Sequence, residues 1–237
     1  MTERTIHYEK QLSFLNDKLK EFLSGVEHLF EKTLLAIQSG DENLIKGIES
    51  MDDYFDSLDL EIQTTAFDII GKFQPLADDL RFVVAMIGLS IDLERIADEC
   101  VNIAQLSRHV QRGMESFNSW KTLNEMIKII LIMFKETIEA VEHKDLDLAI
   151  RVWKKDDDVD SLHNTGHEDL INLACQETNQ KMMRLYLEEA FLIRHLERIA
   201  DHLTNVCEKL YFMSTGKQLK ELFVHNPNKE NRINSKN

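Results

Sequence analysis

The chain has 237 residues, 43% of them hydrophobic and 30% charged, a balance that supports a packed core and excludes the low-hydrophobicity pattern of disordered chains. Its 42 acidic and 28 basic residues give a formal net charge of −14, which repels phosphate backbones and anionic lipid and so argues against nucleic acid as a partner. Only 2 prolines and 8 glycines are present, too few turn residues for a sheet protein of this length, and an all-α fold is expected.

The opening MTERTIHYEKQLSF lacks the unbroken apolar stretch of a secretory signal. No run approaches the roughly 20 apolar residues of a membrane span, so a cytoplasmic location without direct membrane insertion is expected. A first helical segment runs to the breaker Ser39-Gly40-Asp41. The second runs to the LysPheGlnPro break at 72–75 and places Ile48, Met51, Phe55, Leu58 and Ile62 on one buried stripe, flanked by Asp52 and Asp56. The third ends at Arg112-Gly113 and buries Leu89, Leu93, Ile96, Cys100 and Ile103. At 100° per residue, Glu94 and Asp98 lie together on the opposite side of that helix and face outward. A fourth segment reaches HisLysAsp (143–145). The fifth, with Asp156 and Asp160, reaches the polar stretch 176–180, and the sixth, with Glu197 and Asp201, reaches Thr215-Gly216. Residues 217–237 are expected to form a polar, disordered tail.

The second half repeats the first. LERIAD stands at 93–98 and again at 196–201, an offset of 103, with Arg81 matching Arg184 and Asn102 matching Asn205. At an offset of 104, Asp41, Leu44, Asp52, Asp56 and Leu58 match Asp145, Leu148, Asp156, Asp160 and Leu162. Two tandem antiparallel three-helix bundles, 1–113 and 114–216, are the simplest assembly.

Like charges four apart on a helix repel by a few tenths of a kcal/mol, so pairs that recur in both halves suggest a cation between them. With neighbouring helix axes about 8–10 Å apart, Asp52 and Asp56 can converge with Glu94 and Asp98, and Asp156 and Asp160 with Glu197 and Asp201. Such an all-oxygen set suits Mg²⁺, Mn²⁺, Ca²⁺ or iron, and admits zinc. Glu49 and Asp53 share the spacing but have no counterpart pair in the second half, and they read as a solvated acidic face. His109, His163, His167, His195 and His202 are further ligand candidates, His163 being best placed, three residues after Asp160. Cys100, Cys175 and Cys207 are odd in number and set in apolar helical patterns, so they read as reduced core thiols.

The block PLADDLRFVVAMIGLSIDLERIADECVNIA (75–104) resembles the signature of the PhoU family, with Pro75, Asp79, Leu80, Arg81, Leu93, Glu94, Arg95, Ile96, Asp98 and Asn102 in its places. FLIRHLERIADHLTNVCE (191–208) and DDDVDSL (156–162) carry the likeness into the second repeat, so it covers roughly 5–215. The resemblance implies tandem three-helix bundles that bind metal, including multinuclear clusters, at acidic motifs on the outer face. Asp52, Asp56, Glu94 and Asp98 would serve one site, and Asp156, Asp160, Glu197 and Asp201 the other, with iron, zinc, manganese and magnesium all open. It also implies a negative regulator of phosphate uptake, usually a homodimer, that couples a high-affinity phosphate ABC transporter to a histidine kinase and contacts the transporter's ATPase subunit and the kinase.

Two departures from the family pattern stand out. Ala97 and Ala200 replace a common Gly, and QETNQKMMR replaces the proline-led turn in the second repeat. A helical di-iron enzyme would need a buried Glu-x-x-His on each of two helices, and no Glu here has a His three residues later. A glycine-rich phosphate loop and a G-x-S-x-G are also missing, so a non-enzymatic regulator is expected. A metal-free helical adaptor of another phosphate transporter is the alternative.

Overall fold

The computed structural model describes residues 3–110 and 120–224. It is built of α1 (Glu3–Ser39), α2 (Glu42–Glu49), α3 (Asp52–Phe73), α4 (Ala77–Val110), α5 (Trp120–His143), α6 (Leu146–Gln176), α7 (Gln180–Thr215) and α8 (Glu221–Val224), with no strand among the described residues. The Arg112-Gly113 break and the His109 side chain lie outside that description. The matched residues Asp41 and Asp145 are N-caps of α2 and α6, each accepting hydrogen bonds from the backbone amides two and three residues on. Gln74 (φ 53°) and Gly216 (φ 72°) close α3 and α7 in left-handed conformations.

The second segment, expected as one helix, is two. The Ser50 hydroxyl donates to the Gly47 carbonyl (2.8 Å) and the Met51 amide tightens onto Ile48 (3.0 Å), so the ladder is interrupted between α2 and α3. At the equivalent places α6 has Arg151 and Lys154, good helix formers, and runs through unbroken. Arg108 of α4 holds the detached α2: its Nε donates to Glu42 (3.1 Å), and its two terminal nitrogens donate to the two oxygens of Glu49 (2.9 and 2.8 Å). Glu49 is therefore an anchor and not part of a freely solvated face, and Arg108 holds its pKa down.

One apolar core runs through both halves. Its centre is a pseudo-two-fold contact. Phe30 and Phe134, offset by 104 residues, are fully buried and stack on each other at 5.1 Å between ring centroids. Helices α4 and α7 pack antiparallel beside them, and the residues flanking the two LERIAD motifs meet crosswise. Asp92 and Glu99 bracket the first motif, at 6% and 1% exposure; His195 and His202 bracket the second. His202 Nδ1 lies 3.1 Å from Asp92, and His195 Nδ1 lies 2.5 Å from Glu99. Arg198 adds a 2.8 Å bond to Glu99. Lys209 reaches Asp92 by crossing over Gly88, where a Cβ would collide with its aliphatic stem. Residue i meeting j while the equivalent of j meets the equivalent of i is the contact pattern of a two-fold dimer. Here it joins two halves of one chain, with acids on one side and bases on the other.

Cys100 and Cys207 are buried, and burial raises both thiol pKa values, that of Cys207 to about 12. Cys175, expected in the core, is exposed, because it sits one residue past the buried stripe that passes through Leu170 and Ala174 on α6. Part of the expected tail is also ordered. Leu219 is buried and Phe223 stacks on Trp153 at 4.8 Å, so an apolar pair ties residues 217–224 to α6. Residues 225–237 lie outside the described residues.

Candidate metal centre and the two acidic faces

In the first half, α3 carries Asp52 and Asp56 and the antiparallel α4 carries Glu94 and Asp98. Partial burial raises the pKa of Asp52, Glu94 and Asp98 above the usual carboxylate range. Neighbouring charge adds to this: Asp56 acts on Asp52 and Glu94, and Asp52 and Asp56 act on Asp98. The carboxylates thus feel one another's charge between α3 and α4, but no three of them close to within 4.8 Å. Arg95 spans two of them, with Nε 3.4 Å from Glu94 and Nη1 3.3 Å from Asp98.

The second half draws its acids closer. Oxygens of Asp156, Asp160 and Asp201 all lie within 4.8 Å of one another, and no other set of three His, Cys, Asp or Glu converges so closely among the described residues. Burial, then the charges of Asp201 and Asp160, push the Asp156 carboxyl up to about 7. Burial and Asp160 also raise Asp201. Glu197, expected as the fourth ligand, is buried and turned to Arg194, whose Nη1 donates to both of its oxygens at 2.8 Å. Neither Glu94 nor Glu197 points into open solvent, as the outward direction on their own helices suggested. Each neighbouring helix, α3 or α6, covers part of that face.

Two enclosed polar atoms at the second cluster lack a hydrogen-bond partner, Asp156 Oδ1 and Thr204 Oγ1; His163 Nε2, one turn on from Asp160 along α6, is also enclosed and unpartnered but does not converge with the three acids. Thr204 is only 6% exposed, and its hydroxyl is near enough to Asp156 to lower that carboxyl slightly without making a well-formed bond. Burying unpaired polar atoms costs free energy, and a cation bound by carboxylate and hydroxyl would remove that cost. Burial and then the Arg194 charge depress the His163 pKa, which favours the neutral ring. The His167 ring lies tilted beside it, 5.6 Å between centroids. His195 and His202 do not join, since they belong to the α4–α7 contact. Sequence reasoning missed Arg194 and Thr204. Both were visible in the repeat, because they stand where the first half has Ile91 and Val101.

Comparison with known proteins agrees with the repeat. The PhoU domain model matches the chain twice, at residues 19–107 and 123–210. The chain is 30% identical over 216 residues to a Thermotoga maritima protein named phosphate-specific transport system accessory protein PhoU homolog 1, covering 91% of this chain and 92% of that one. It is 32% identical over 213 residues to the PhoU homolog of Clostridium acetobutylicum, covering 90% and 96% of the two chains. The crystal structure of PhoU from Pseudomonas aeruginosa superposes with a TM-score of 0.82 at 25% identity, covering 89% of this chain and 100% of that one. For the fold alone, PhoU from Streptococcus pneumoniae gives a TM-score of 0.80 at 24% identity, covering 90% and 99%.

Proposed function

This chain belongs to the PhoU family, and from that premise we propose that it restrains phosphate uptake by a high-affinity phosphate ABC transporter and damps the phosphate-starvation response through a histidine kinase. It is an accessory protein of the helical-bundle type and not an enzyme. No described helix is long and apolar enough to cross a membrane. The proposed setting is the cytoplasm, where the transporter's ATPase subunit and the kinase would be contacted, with the chain acting as a homodimer.

The observation that carries the site assignment is the convergence of Asp156, Asp160 and Asp201, with Asp156 Oδ1 and the adjacent Thr204 Oγ1 enclosed and unpaired. We assign these carboxylates, with Thr204, to a divalent or trivalent cation such as iron, manganese, magnesium or zinc. Glu197 stays with Arg194 and fixes the wall of the site. The first-half quartet is straddled by Arg95 and is left out of this assignment.

Deleting the coding sequence tests the regulatory reading. Phosphate uptake and a starvation-responsive reporter should rise in phosphate-rich medium and return to the parental level on complementation. Parental reporter activity in the deletion strain would refute the reading. For the metal, elemental analysis of untagged protein should find bound cation that Asp156→Asn/Asp201→Asn abolishes, and a metal-free native protein at micromolar free metal would refute the assignment.

A further inference from the structure

Helices α1 and α5 hold equivalent places in the two halves and meet through the Phe30–Phe134 stack, so the outward residues beside those rings form adjoining surface. The two helices keep the same period along that surface and differ in its chemistry. At an offset of 104, Asp17, Ser24, Glu27, His28 and Glu31 of α1 stand where α5 has Lys121, Lys128, Leu131, Ile132 and Lys135. All of these but the half-buried Glu27 are exposed, and Leu35 of α1 is 55% exposed beside them. The two charges that run against the trend, Lys20 on α1 and Glu139 on α5, are again of opposite sign. Among the described residues no ion pair holds Lys121, Lys128 or Lys135. Glu136, the acid next to Lys135, is taken by Lys155 and Arg151 of α6. On α1, Glu31 has the exposed His28 at 3.5 Å, and the Glu27 carboxyl is raised by burial and then by the charge of Glu31.

We propose that this face is the contact between two copies of the chain, packed two-fold so that α1 of each lies on α5 of the other. Glu27 and Glu31 then meet Lys128 and Lys135 of the partner subunit, with Leu35, Leu131 and Ile132 enclosed between them. The homodimer of the proposed function is the premise, and the charges choose this face for it. A two-fold contact uses the same patch twice, so the patch must be complementary to itself. A face that is acidic on one helix and basic on its neighbour meets that condition, whereas either carboxylate face would set acids against acids. A two-fold axis lying in the plane of the face, between the two helices, brings each α1 over the other copy's α5. The size fits as well. The 24 residues of α5 rise about 36 Å, and two helices side by side are about 20 Å wide, so each copy offers about 700 Å², close to the roughly 800 Å² per partner of a specific interface.

Sedimentation of the full chain at micromolar concentration should show a dimer. Lys128→Glu/Lys135→Glu and Glu27→Lys/Glu31→Lys should each raise its dissociation constant by about tenfold or more, since the two-fold sets like charges together twice. Mixed in equal amounts, the two variants should form a heterodimer about as tight as the native dimer, because every reversed side chain then meets its opposite. That recovery also shows that both variants are folded. Lys46→Glu/Lys72→Glu, which reverses two exposed lysines on α2 and α3, should leave dimerisation within about twofold. Variants that dimerise like the native chain would overturn this interface and leave the homodimer standing. A mixture that stays monomeric would overturn the interface too, and a monomeric native chain would overturn both it and the homodimer.

Discussion

The two acidic faces began as copies and have come to differ in what surrounds the carboxylates. Around the first, Leu60, Ile91 and Val101 are apolar, and the acids are straddled by the LERIAD arginine, Arg95. Around the second, the matching residues are Asn164, Arg194 and Thr204, while the matching arginine, Arg198, crosses to Glu99. Arg194 then draws Glu197 aside, and the remaining three acids close on one another. The same Glu-x-x-x-Asp pair thus gives a tight donor set in one half and a looser set straddled by an arginine in the other. Neighbouring side chains, more than the motif itself, decide what an acidic pair can bind.

The largest expected effect tests whether the halves are separate at all. Phe134→Ala empties a buried place on the pseudo-two-fold contact and should cost about 3–5 kcal/mol. Because Phe30 loses its partner too, both halves should melt in one calorimetric transition at a lower temperature. Two transitions, with the first half unshifted, would show that the halves fold independently.

The second prediction separates the sites. If cation binds only the folded second-half cluster, chelator lowers the melting temperature by removing a mass-action stabilisation of about 2.7 kcal/mol at a hundredfold excess over Kd. Asp156→Asn/Asp201→Asn should abolish the chelator response, and Asp52→Asn/Asp98→Asn should leave it intact. Equal loss in both variants would mean that the halves bind metal alike and that the contrast between them has no consequence for metal.

Much of this was legible in the sequence, and what was not has physical reasons. LERIAD and its offsets reveal the duplication, and punctuation falls within a residue or two of the ends of α1, α3, α5, α6 and α7. The α2–α3 break is hidden because Ile48, Met51 and Phe55 keep their period across it, while only the weak helix formers Gly47 and Ser50 betray it. The direction of Glu94 or Glu197 relative to its own helix is readable, but the cover supplied by α3 or α6 is a tertiary fact. The crossed pairs Asp92–His202 and Glu99–His195 were present as different flanks of an identical motif. Flanks that differ around a conserved repeat core are where two copies have been made complementary.

A third prediction concerns pH, in protein stripped of metal. The Asp156 carboxyl, pushed up to about 7, holds its proton in the folded chain after the unfolded chain has ionised near the ordinary value of 3.8. The folded state binds more protons through that window, so stability falls as pH rises from about 4 to about 7 and is level above it. Partial exposure and solvent screening leave an effect on the order of 1–2 kcal/mol. Asp156→Asn should flatten the slope in urea titrations more than Asp52→Asn does, since the Asp156 carboxyl is the more deeply enclosed of the two. A slope of opposite sign would mean that Asp156 is stabilised in its charged form by contacts other than these.

The smallest effect sharpens the comparison through the caps. Asp41 and Asp145 make the same two bonds, from their carboxylates to the amides of Asn43 and Leu44 and of Asp147 and Leu148. Removing either should therefore cost about 1 kcal/mol where it acts. Where it acts differs, because α6 is continuous for 31 residues and α2 is 8 residues long and cut off at Ser50. Asp145→Ala weakens a helix that carries Asp156 and Asp160, so its cost should appear in full in the global transition. Asp41→Ala weakens a short helix held by Ile45, Ile48 and the Arg108 bonds to Glu42 and Glu49. Its cost should appear as faster amide exchange confined to 42–49, with a smaller shift of the melting temperature. Equal melting shifts with no local exchange signature would show that α2 is coupled to the core as tightly as the start of α6, and that the break at Ser50 is a bend without energetic consequence.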